Sequence, residues 1–132
     1  MKHQILAYAL ARIALGVNLL AHGLVRIPKT HTFQNWMVSY FEGTLLPSWL
    51  VLPFAVILPF LEFTLGLLLL LGLFTRHTLV AVTVLLMILM LGSCLKESWE
   101  TVGIQLIYIL FTLILLFHLD LDVWGIRSVS RR

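Results

Sequence analysis

Charge is scarce in this sequence: only 11% of the residues are Asp, Glu, Lys or Arg, where a water-soluble domain carries about a quarter. A chain of 132 residues that is 61% hydrophobic has too little interior to hide its apolar side chains from water, so lipid must cover many of them. Cysteine is nearly absent. With Cys94 alone, an intramolecular disulfide, a CxxC redox centre and a cysteine metal cage are all excluded. The histidines show no HxxxH or HExxH spacing, and topology separates His31, His77 and His118, so no metal site is expected. No nucleic-acid motif accompanies the net charge of +3 and the pI near 9.4. The basic residues sit at the ends of apolar runs, which makes them topology signals and not a nucleic-acid surface. A signal peptide is not expected either. Arg12 interrupts the apolar run after Lys2, and Ala9-Leu10-Ala11 comes too early to follow a full hydrophobic region.

What is present is long apolar runs, and the mean hydropathy is +1.03. They cover about residues 4–27, 49–74, 78–95 and 102–121, each close to the ~20 residues a helix needs to cross hydrocarbon. None alternates in polarity, so barrel strands are excluded. The expected fold is a single all-α domain, an integral membrane four-helix antiparallel bundle. The breaks at Arg76-His77 and at Lys96 to Thr101 admit only tight hairpins, making spans two, three and four antiparallel neighbours. The side holding both ends carries Lys2, Arg76, Arg127, Arg131 and Arg132. The other carries Arg26, Lys29 and Lys96, offset by Glu42, Glu97 and Glu100. The positive-inside rule places both termini in the cytoplasm.

The connection between spans one and two has structure of its own. Phe33, Trp36, Met37, Tyr40 and Phe41 recur at helical spacing among polar residues, which predicts a short amphipathic helix over about 32–42 with Thr32 as its N-cap. Pro28 and Pro47 bracket it. Its aromatic residues suit the headgroup region, so it either lies in the outer interface or folds over the bundle mouth as a lid.

Charge inside a span costs at least ~2.5–3.5 kcal/mol and needs a reason. Arg12 lies ~12 Å and Glu62 ~18 Å from the cytoplasmic end at 1.5 Å per residue, which predicts a buried Arg12–Glu62 ion pair. Such a pair either fixes helix register or forms a proton or substrate site. Asn18, His22 and Arg26 form a polar ridge on span one, and Gln105, Tyr108 and Thr112 share a face of span four. With Cys94 they are the candidate lining of a polar cavity. Each also has a structural reading: His22 donating to a backbone carbonyl, Arg26 reaching the headgroups, Gln105, Tyr108 and Thr112 bonding between helices, Cys94 filling space. Gly16, Gly23 and Gly66 allow the helices to approach closely. Pro53 and Pro59 are expected to bend span two above Glu62.

Arg12-x3-Gly16-x5-His22-Gly23-x2-Arg26 resembles the R…G…HG…K signature of the DoxX family of small bacterial membrane proteins. Glu62-x3-Gly66 followed by Leu71-Gly72-Leu73-Phe74-Thr75-Arg76 is similar to its second signature. The resemblance runs from about Ala7 to His118. Arg26 departs from it, since many members carry lysine there; the charge is kept but the donor geometry changes. The resemblance implies a multi-pass protein of the bacterial inner membrane, tied by family name to thiosulfate:quinone oxidation and to membrane redox complexes. Carried over, it marks Arg12, His22, Gly23, Arg26, Glu62, Gly66 and Arg76.

The expectation that combines both readings is a small subunit of a quinone- or sulfur-linked redox system. Arg12, Glu62 and His22 are its candidate catalytic groups. Asn18, His22, Arg26, Glu62, Cys94, Gln105 and Tyr108 would contact substrate, and Gly16, Gly23, Gly66 and Arg76 would be structural. No intrinsic cofactor motif is present, so a quinone or a redox partner protein would supply the redox centre. Homo-oligomer formation stays open. The alternatives are a non-catalytic scaffold that recruits a partner and, third, a small oligomeric transporter.

Overall fold

The computed structural model describes residues 2–126. The chain forms α1 (Lys2–Arg26), α2 (Thr30–Tyr40), α3 (Ser48–Leu71), α4 (Thr75–Leu95) and α5 (Trp99–Phe117). Single 3₁₀ turns, Ile27–Lys29 and Leu119–Leu121, follow α1 and α5. No strand occurs among the described residues. Four stretches are long and apolar enough to cross a membrane: α1 with its continuation into α2, then α3, α4 and α5. Arg127, Arg131 and Arg132 of the charge count lie outside the described residues.

The α1–α3 pair is the closest in the bundle, and glycine is the reason. A Cβ on Gly66 would strike the backbone of Leu20 in α1; one on Gly23 would strike Pro59 O and Phe63 N in α3. Without those carbons the two backbones meet directly, the packing that membrane helices use in place of a hydrophobic driving force. Pro59 is buried within α3 and has no N–H to give the carbonyl four residues earlier. The α3–α4 hairpin is equally tight. Gly72 closes α3 at φ 69°, with its N–H on Leu69 O and the Leu73 N–H on Leu68 O at 3.0 Å, a left-handed helix stop that a side chain resists.

All four spans contribute to one core, in which Leu19, Leu69, Leu79, Val82, Ile109 and Leu115 are buried together. α5 packs chiefly on α4. It is tied to α1 where the Tyr8 hydroxyl donates to Leu115 O at 2.8 Å. Outward, Ile107, Leu110 and Ile114 are exposed, as expected of a lipid-facing stripe.

α2 is more than a surface anchor. Phe33 and Met37 bury themselves against Val51, Ala55 and Leu58 of α3 and Leu85 of α4, while Trp36 stays exposed and stacks on Tyr40. One face of the helix covers the bundle and the other presents an aromatic edge. Thr32 does not cap it: the helix starts at Thr30 with Lys29 in the cap position and no side-chain cap bond. The 3₁₀ turn carries α1 almost directly into α2, so α2 begins earlier in the chain than Thr32.

Candidate functional site

Two buried ionic sites lie along α1, and neither is the Arg12–Glu62 pair expected from the sequence. Glu62 is only 5% exposed and is held by Arg26, whose Nη1 donates to both carboxylate oxygens at 3.0 and 3.1 Å. Arg12, 2% exposed, turns the other way. Its Nη1 donates to Asp122 Oδ1 at 2.5 Å and its Nη2 to Trp124 O at 3.1 Å.

The expectation fails because of helix register and side-chain direction. Side chains on a helix lean toward its N-terminus. From position 12 a long arginine therefore reaches back toward the end where α1 begins, away from Glu62. From position 26 it reaches inward, down to Glu62. Helix register widens the gap: Gly23 packs on Pro59 and Phe63 while Arg12 lies against Gly72, so Glu62 stands level with His22 and Gly23 and not with Arg12.

Around Glu62 the site has a cationic, an aromatic and an imidazole component. The Arg26 guanidinium lies over the Phe33 ring, 4.7 Å from its centroid, a favourable cation–π arrangement that ties α2 to the site. The Arg26 side chain keeps 32% exposure. One turn earlier, His22 is exposed, lies within electrostatic reach of Glu62, and has Nδ1 2.6 Å from Asn18 O. Asn18 thus enters through its backbone carbonyl. Small residues let these groups meet, since Gly23 next to His22 brings α1 onto Pro59 and Phe63, directly beside Glu62.

The Arg12 site is a clamp on the C-terminal segment. The Gly72 and Gly125 backbones close over the guanidinium so tightly that a Cβ at Gly72 would meet both Gly125 Cα and Arg12 Nη1. Asp122 was missed in the sequence because it lies beyond the last span. A signal was there: a charged Arg12 in that half of the bundle needs a counter-charge, and Asp120 and Asp122 are the acidic residues at that end.

The other expected members do not join either site. Thr112 is fully buried and its hydroxyl donates to Tyr108 O within α5. Tyr108 is exposed. Gln105 is half-buried, with its Oε1 buried and without a hydrogen-bond partner. Cys94 is half-buried near the end of α4, and Arg76 is exposed in the first turn of α4. Among the described residues no hydrogen bond joins the Asn18–His22–Arg26 ridge to Gln105, Tyr108 or Thr112. No group of three or more His, Cys, Asp or Glu there is placed to hold a metal ion. A separate apolar cleft of about 270 Å³ opens between α2, α3 and α4, lined by Met37, Phe41, Phe54 and Leu89 among others.

These features define a small, all-helical, four-span membrane protein with Glu62 buried between its first two spans and held by the partly exposed Arg26. The sequence model of the DoxX family matches residues 7–95, and the chain belongs to the DoxX family. The match takes in most of α1 and runs to the end of α4, including Arg12, His22, Arg26 and Glu62, and leaves α5 and Asp122 outside it. No curated protein and no solved structure matches the chain.

Proposed function

We propose that this DoxX-family protein is a small subunit of a quinone-linked redox system in the bacterial inner membrane, with both termini cytoplasmic. The Arg26–Glu62–His22 group is its quinone headgroup site. One observation carries the reading: a buried carboxylate of α3 is held by Arg26 of α1, one turn from the exposed imidazole of His22, on helices otherwise built for lipid. A span tolerates such groups where they serve a ligand or a proton path. A quinone is dissolved in the bilayer and reaches such a face sideways, without a water-filled entry.

The residues fit a quinone headgroup chemically. Arg26 engages Glu62 through Nη1 alone, and a guanidinium has further N–H donors for a ring oxygen. Phe33, already under the guanidinium, adds an aromatic wall. Glu62 holds Arg26 in place and is a proton acceptor within the same cluster. Electrons come from a partner protein, which the reading requires the chain to bind.

The test is quinone reduction by membranes containing the protein and its co-purified partner, compared with Glu62→Gln. Glutamine keeps the size of the side chain and removes its charge. Turnover is expected to fall by about a hundredfold or more, the range for removing a positioned acid–base group. Undiminished turnover in Glu62→Gln overturns the proposed role of the site. Purification without any redox partner under mild extraction counts against the subunit reading.

A further inference from the structure

The hydrogen bond on one side of the His22 ring decides what the other side can recognise. Nδ1 lies 2.6 Å from the Asn18 carbonyl oxygen. A backbone carbonyl only accepts, so Nδ1 carries the proton. In the neutral ring Nε2 is then a bare lone pair, an acceptor.

An exposed acceptor in a span cannot be satisfied by acyl chains, and leaving it unpaired is costly. Whatever docks against His22 must bring a donor. Quinones and lipid phosphates offer acceptors only, which suit Arg26 and not His22. The reduced form of a quinone has two hydroxyls that both donate and accept.

We propose that this site selects the quinol over the quinone: one ring hydroxyl donates to His22 Nε2, while Arg26 donates to a ring oxygen. The inference rests on the quinone-linked reading of the site and narrows it to one oxidation state of the ligand. It concerns binding alone. His22 is a specificity-determining residue, set in its tautomer by the Asn18 carbonyl one turn away.

The experiment uses the full chain in phosphatidylcholine nanodiscs. It is titrated without oxygen against a short-tail benzoquinol, the matching quinone, and the quinol dimethyl ether, which keeps the ring and loses both O–H donors. The quinol is expected to bind about tenfold more tightly than the other two, the effect of one hydrogen bond made to an otherwise unpaired acceptor. In His22→Phe the three affinities are expected to converge on that of the quinone. The ether comparison needs no variant, so it stands even if His22→Phe fails to fold. Equal binding of quinol and ether to the unaltered protein, or a quinol preference that survives in His22→Phe, overturns the inference and leaves the quinone reading intact. Binding of none of the three ligands overturns both.

Discussion

At the scale of single residues, the buried charges are organised by the lean of side chains along α1. Arg26 reaches down to Glu62 and Arg12 reaches back to Asp122, so each charge has its own counter-ion. Removing one partner leaves the other uncompensated. Arg26→Met is expected to destabilise the protein by about 3 kcal/mol, the lower end for a broken buried pair because Arg26 keeps some exposure. The double variant Arg26→Met with Glu62→Leu is expected to recover most of that loss, measured by unfolding in detergent. The glycines give a second contrast. Gly66→Ala places a carbon on the Leu20 backbone and is expected to cost about 1–3 kcal/mol through overpacking. Gly103→Ala points into open space and is expected to stabilise by up to about 1 kcal/mol, since alanine is the better helix former. That Gly66 marks a close approach was legible in the sequence, because small residues between spans have few other uses. Which arginine faces Glu62 was not, because it depends on rotamer direction and on what lies at each end of the bundle.

At the scale of elements, α2 and the C-terminal segment are both fastened through α1. Phe33 joins them for α2, packing on α3 while carrying the Arg26 guanidinium on its ring. Phe33→Leu keeps the apolar contact and loses the cation–π interaction. Its expected cost is about 1 kcal/mol in the same unfolding measurement. The C-terminal segment depends on Asp122 and on the Trp124 carbonyl, both bonded to Arg12. Asp122→Ala is expected to leave Arg12 buried without its counter-charge and to release the segment after His118. Limited proteolysis reads this as cleavage beyond α5 at protease levels that leave the unaltered protein whole. The periodicity of α2 was plain in the sequence. Its partner was not, because an amphipathic face shows that something apolar is covered without showing whether that is lipid or protein.

At the scale of the whole molecule, the bundle has a polar group in each half, held apart by the leucine and valine core of all four spans. The proposed orientation puts the Arg12 clamp nearer the cytoplasm and the Arg26–Glu62–His22 site nearer the outer face. Reporter fusions check it: a cytoplasm-active reporter is expected to work at either terminus, and one fused within 42–46, between α2 and α3, is expected to be silent. Activity in the reverse pattern inverts the orientation and moves the quinone site to the cytoplasmic half.

The long apolar runs, the hairpin breaks read at Arg76-His77 and Lys96 to Thr101 and the small residues of the first two spans made the four-span, all-helical architecture readable from the sequence alone. Hydrophobic length and local turn chemistry are properties of neighbouring residues. The pairing of Arg12 with Asp122 and of Arg26 with Glu62, the outward-facing His22 and the cover that α2 lays over α3 were decided only in the tertiary structure. Each joins residues far apart in the chain, and each depends on where a side chain leans once the helices have met.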